Sequence, residues 1–91
     1  MRKQAMNMME AMTAALEWAD EVGFAPYYVT IFAHPGHFSV DFSTRPELCT
    51  GEGLKRILND GYSHEGSSRV TYKATRKGVA CEVHTDRPSS E

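Results

Sequence analysis

The chain has 91 residues, a formal charge of -2 and a pI near 6.1. That length builds one core, which buries only about 60–65% of the unfolded surface, so a second domain is excluded. The slightly acidic balance lacks the basic footprint of a nucleic-acid-binding domain. With 41% hydrophobic and 24% charged residues the composition is that of an ordinary globular protein.

Two cysteines, Cys49 and Cys81, are too few for a disulfide scaffold and form no CxxC. They read as free thiols in a reducing cytoplasm, with Cys81 a small core hydrophobe and Cys49 in a loop. The Met/Ala-rich start is interrupted by Gln4, Asn7, Glu10 and Glu17 before an apolar signal core can form. No run reaches the ~18 apolar residues of a membrane span. The chain therefore reads as soluble and intracellular, with residues 1–86 as one domain and 87–91 as a disordered tail.

Helix 1 is expected over about residues 4–21. At 100° per residue, Ala5, Met8, Met9, Met12, Ala15, Leu16, Ala19 and Val22 share an inward face. Lys3, Asn7, Glu10, Thr13, Ala14, Glu17 and Glu21 share the outer one, and Trp18 lies on the boundary. Gly23 fits the helix C-terminus. The stretch from Tyr27 to Ala33 is β-branched and aromatic, and His37 to Ser43 alternates cleanly. A hairpin around Pro35-Gly36 puts Val29, Ile31, Ala33, Phe38, Val40 and Phe42 inward. Tyr28, Thr30, Phe32, His34 and His37 then lie on the open side. Because Pro-Gly suits type I and II turns, which match hairpin twist poorly in two-residue loops, a four-residue loop from His34 to His37 is expected.

Thr44-x-x-Glu47 has capping-box form, but only a turn can follow it. Helix 2 starts near Thr50, turns Leu54, Ile57 and Leu58 inward and ends at Gly61. Two further strands, Arg69 to Thr75 and Val79 to Thr85, flank a Lys77-Gly78 turn. That register sets Lys73 against Glu82 and Arg69 against Asp86, opposite charges that favour it by a few tenths of a kcal/mol each.

The plan of helix plus hairpin thus appears twice, 42 residues apart. Laying 8–46 over 50–88 matches Glu10, Leu16, Gly36, Arg45 and Pro46 with Glu52, Leu58, Gly78, Arg87 and Pro88. Chance alone gives roughly two or three such identities. The inward faces of the second strands disagree by one residue, and a β-bulge is the expected repair. The fold class is α+β: an α-β-β-α-β-β sandwich with a four-stranded antiparallel sheet and both helices on one face. Its element order is a circular permutation of the ferredoxin-like order, with strands arranged three-four-two-one.

No phosphate loop, nucleophile elbow or HExxH is present, so neither enzymatic activity nor a cofactor is expected. The leading expectation is a small non-enzymatic protein-binding domain. It would be a bacterial or phage accessory regulator or inhibitor, as of host defence, acting stoichiometrically as a monomer or homodimer on a protein partner. Glu10, Glu17 and Glu21, with Asp20 and Trp18 nearby, form a stripe suited to a basic partner. Tyr28 and Phe32 offer a second contact on the open sheet face. The alternative is a nucleic-acid-binding module in which Tyr28 and Phe32 stack bases beside Arg69, Lys73 and Arg76. Third, if the end of strand four lies beside the start of strand two, His84 approaches His34 and His37, and three imidazoles suit zinc. Ser39 and Asp41 on the same side as His37 also allow a Ser/His/Asp set to be drawn, without showing its geometry.

Overall fold

The computed structural model describes residues 7–88. Helix α1 (Met8–Val22) begins at Asn7, whose side chain accepts a hydrogen bond from the Glu10 backbone N–H at 2.9 Å. Asn7 is therefore an N-cap rather than a residue of the outer helix face. Lys3 and the expected helical residues 4–6, Ala5 among them, lie outside the described residues. Gly23 closes the helix at φ 106°, and the N–H groups of Gly23 and Phe24 both return to the Ala19 carbonyl.

The strands are β1 (Tyr28–His34), β2 (His37–Ser43), β3 (Arg69–Arg76) and β4 (Val79–Asp86), and α2 spans Gly51–Asp60. They form a four-stranded sheet in the order β1-β2-β4-β3, the expected order read from the other edge. One expectation is corrected. The sheet is mixed rather than antiparallel, because β2 and β4, which join the two halves, run parallel, and the expected permuted ferredoxin-like arrangement is therefore not formed. The outer pairs are antiparallel, with Lys73 opposite Glu82 and Arg69 opposite Asp86 as expected.

Both hairpin loops have two residues. His34 pairs directly with His37 across Pro35-Gly36, where Gly36 has φ 87°, so the expected four-residue loop is corrected to the tighter form. Lys77 and Gly78 both have positive φ, 51° and 80°, the pattern of a type I′ turn. Neither ladder is broken by a bulge. The one-residue slip between the halves appears instead in the register of the parallel pair, which sets Val40 beside Cys81 and Phe42 beside Val83, 41 residues apart rather than 42.

The buried face of α1 is also corrected. It consists of Ala11, Ala14, Ala15, Trp18, Ala19 and Val22, while Met8, Met9 and Leu16 are exposed, Met9 at 82%. Alanines let the helix axis approach the sheet closely, and the space between is filled by one large ring. Trp18, only 5% exposed, stacks on Tyr72 and Phe42 with ring centroids 5.9 and 6.2 Å away, and meets Phe24 edge-on at 5.6 Å. Val40, Phe42, Val70, Val79, Cys81 and Val83 complete the sheet side of the core, and Ile57 enters from α2.

The second helix docks where the first one ends. Thr50 caps α2 by accepting from the Gly53 N–H at 2.9 Å, and its own N–H donates to the Gly23 carbonyl at 2.8 Å. A Cβ on Gly53 would stand 2.3 Å from the Gly23 carbonyl oxygen, whereas one on Gly51 meets nothing within 4 Å. Thr44, expected as a cap, instead donates its hydroxyl to the Ala25 carbonyl at 2.7 Å. Arg87 donates its N–H to the Ser68 carbonyl at 2.8 Å, so the chain is still tied to the fold there, and the expected tail lies from residue 89 outside the described residues.

Two substitutions test this packing. Gly53→Ala should lower stability by about 1–3 kcal/mol, the usual cost of forcing an extra methyl into a filled site. Gly51→Ala should be neutral or slightly stabilising, by up to about 1 kcal/mol. Urea unfolding of the two variants gives the comparison, and equal midpoints would contradict the contact.

Candidate functional site

The helices cover one face of the sheet and leave the other bare. Strand alternation and the three registers put Phe32 and His34 of β1, Ser39 and Asp41 of β2, Glu82 and His84 of β4, and Thr71 and Lys73 of β3 on that bare face. Phe32, His34, Ser39, Asp41, Lys73 and Glu82 line an open hollow of about 650 Å³.

Its centre is set by the parallel pair. Asp41 lies directly beside Glu82. Glu82 Oε1 is 3.4 Å from Lys73 Nζ, and Glu82 Oε2 is 2.7 Å from His84 Nε2. His84 Nδ1 shares a 2.9 Å hydrogen bond with Thr71 Oγ1. Lys73 also lies over the ring of Tyr62, which comes from the loop after α2. Burial, and then the neighbouring Glu82 carboxylate, push Asp41 above the 3.8 of a free aspartate; His84 and Lys73 offset this in part. Asp41, Glu82 and His84 can bring one donor atom each within 4.8 Å of one another. Two carboxylates and an imidazole are a donor set that suits a divalent cation. Two of the three are already engaged: Glu82 by Lys73 and His84, and His84 by Glu82 and Thr71.

The expected meeting of His34, His37 and His84 does not occur. With β2 and β4 parallel, His84 sits beside Ser43, six positions and roughly 20 Å along β2 from His37. His34 and His37 flank the first hairpin turn and stack at 4.4 Å, with Phe32 stacked on His34 at 6.2 Å. The Ser/His/Asp set is not assembled either. Ser39 Oγ is 2.8 Å from His34 Nε2, while Asp41 lies in the electrostatic reach of Glu82, His84 and Lys73.

The acidic stripe on α1 is occupied by the chain itself. Glu17 binds Arg76 at 3.3 Å and Lys77 at 3.2 Å, and Arg76 also pairs with Glu21. The Lys77 ammonium, with a smaller part from Arg76, holds the Glu17 carboxyl below its ordinary range. Asp20 is exposed beside Gly23 and Leu48, and Glu10 lies in the first turn of α1. Trp18 is corrected from a boundary contact to the centre of the core. Arg76 is corrected from the open face to the helix side, since it shares the parity of Val70, Tyr72 and Ala74 and pairs with α1. Arg69 and Lys73 do lie on the open face, and Tyr28 and Phe32 are exposed there. Burial pushes the Cys81 thiol up to about 11, which keeps it an unreactive core group, and Cys49 Sγ donates to the Arg45 carbonyl at 3.4 Å.

No family model matches the chain, and no curated protein or solved structure matches it.

The burial of Asp41, and then its contact with Glu82, set a pH dependence. A carboxyl whose folded pKa is raised binds its proton more tightly in the folded state, so folding loses stability as pH rises from about 4 through that folded value. Asp41→Asn should therefore stabilise the protein at pH 7 by about 0.2–1 kcal/mol, the range for a charged cross-strand pair. The gain should disappear below pH 4. Thermal melts at pH 3.5 and 7 decide this, and a loss of stability at pH 7 would contradict it.

Proposed function

We propose that this chain is a non-enzymatic binding domain that acts by occupancy on a protein partner, as a regulator or inhibitor does, with the bare sheet face as its recognition surface. The observation that carries this reading is the pairing of Asp41 with Glu82 at the middle of that face, beside the exposed ring of Phe32. Glu82 is held by Lys73 and His84, so Asp41 beside it is the carboxylate that a lysine or arginine from a partner would pair with. Phe32 gives the same partner an apolar anchor of the kind that dominates interface energetics.

The basic complement expected for α1 thus moves to the sheet, because Glu17 and Glu21 already hold Arg76 and Lys77. A nucleic-acid ligand is less well served. The carboxylates would face its phosphates, Lys73 is engaged by Glu82, and Arg76 points to the helix side. No helix among the described residues is long and apolar enough to cross a membrane. The two free thiols suit a reducing compartment, and the cytoplasm is the proposed location.

Capture of proteins from a bacterial lysate by immobilised wild type, Asp41→Arg and Phe32→Ala tests the surface. A partner held by this face should be depleted about tenfold or more in both variants. An unchanged set of captured proteins would refute the proposal. Salt-sensitive retention of single-stranded RNA or DNA by the wild type would instead support the nucleic-acid alternative.

A further inference from the structure

The two edges of the sheet are treated differently. The β3 edge is guarded: Arg69, Lys73 and Arg76 lie along it, and Tyr62 exchanges both backbone hydrogen bonds with Thr71, at 2.9 and 2.8 Å. Positive side chains and a covering segment are the ordinary devices that stop an edge from pairing with another chain. The β1 edge has neither. Its sequence, Tyr-Val-Thr-Ile-Phe-Ala-His, contains no Lys, Arg, Asp, Glu or Pro, and no bulge interrupts it.

Backbone geometry says which groups that edge offers. In a two-residue hairpin the pair flanking the turn, here His34 and His37, is hydrogen-bonded, and such pairs alternate along the ladder. Tyr28, Thr30, Phe32 and His34 therefore turn their N–H and C=O groups toward β2. Val29, Ile31 and Ala33 turn theirs outward, and no described hydrogen bond outside the ladder uses them.

The neighbouring surface is apolar too. Val29 is 40% exposed although it lies on the helix side. On α1, Glu17 and Glu21 occupy the flank facing Arg76 and Lys77, so Met12 and Leu16, on the opposite flank by helical spacing, face away from that hairpin and toward β1. Leu16 and Met8 are each about half exposed.

We propose that β1 pairs antiparallel with β1 of a second copy about a two-fold axis through Ile31. Ile31 then faces the partner's Ile31, Val29 faces Ala33 of the partner subunit, and Thr30 faces Phe32 of the partner subunit. All three outward residues fall in hydrogen-bonded pairs, so six backbone hydrogen bonds follow from this register. No charged side chains meet at the seam. Pairing of this hand keeps the helices of both copies on one face of an eight-stranded sheet. The Met/Leu flank of α1 then lies over the seam and supplies apolar area that seven-residue strands alone lack against the ~1,200–2,000 Å² of stable interfaces. The same operation places the two bare faces side by side. A second copy is favoured over an unrelated strand because the edge is complementary to itself in residue size, polarity and backbone pattern at this one register.

Light scattering coupled to size-exclusion chromatography reads the result directly. Wild type should run at twice the chain mass of 10.2 kDa and fall toward monomer on dilution. Val29→Lys with Ala33→Lys sets lysines opposite each other across the seam and should give a monomer. Val29→Glu with Ala33→Lys sets opposite charges there and should restore the dimer. Asp41→Arg, on β2, should leave the mass unchanged, so failure of the recognition surface and failure of the dimer are distinguishable. Hydrogen exchange on wild type needs no variant: the Val29, Ile31 and Ala33 amides should be protected at high concentration and lose protection on dilution. A wild-type monomer with these amides unprotected at every concentration would overturn the proposal and leave the edge to a strand of another protein. A dimer indifferent to the lysine pair would overturn it as well.

Discussion

The rest of the molecule depends on the parallel alignment of β2 with β4. A parallel pair cannot be closed by a turn, so the chain has to travel from β2 through a short 3₁₀ turn at Pro46–Leu48, α2 and the whole of β3 before β4 returns beside β2. That single alignment makes one sheet out of two helix-hairpin units and leaves β1 and β3 as the edges. It also brings Asp41 beside Glu82 and carries His84 to the opposite end of β2 from His37. The chemistry of the bare face follows from a choice of strand direction.

The helical layer solves a second problem, which is how to cover a small sheet with little material. Alanine contributes little buried area, so a helix faced with Ala11, Ala14, Ala15 and Ala19 gains close approach rather than bulk. Trp18 supplies the bulk once, wedged between Phe24, Phe42 and Tyr72. The same economy explains why Met8, Met9 and Leu16 remain outside: the groove beneath the helix is already filled. Where α1 ends, Gly23 and Gly53 let the two helices meet backbone to backbone, and Arg56 adds a bond to the Glu21 carbonyl at 3.4 Å.

Local features were the legible ones. Element positions, the Lys73–Glu82 and Arg69–Asp86 register and the inward sets of β2, β3 and β4 all follow from period-two alternation and turn chemistry, which act over a few residues. The strand order also followed from element order. The direction of the central pair did not, because nothing in the residues of β2 or β4 encodes which way a distant neighbour runs. The face of α1 was misjudged for a related reason. Hydropathy ranks methionine and leucine above alanine, but the distance between helix and sheet selects for size, and that distance is a tertiary quantity. Arg76 was legible by parity: it alternates with Val70, Tyr72 and Ala74, so the helix side was its only consistent place. Tyr62 carried no signal, since only the bridge to Thr71 brings it to the sheet.

Trp18 is the chain's single tryptophan. Its four-ring cluster draws one member from the loop after α1, one from β2 and one from β3, so the indole touches both halves of the sequence at once. Its fluorescence is therefore a built-in gauge of whether the halves have closed on each other. The first unit alone would cover the indole only with Phe24 and Phe42, and the union along β2 and β4 adds Tyr72 and closes the remaining side to water.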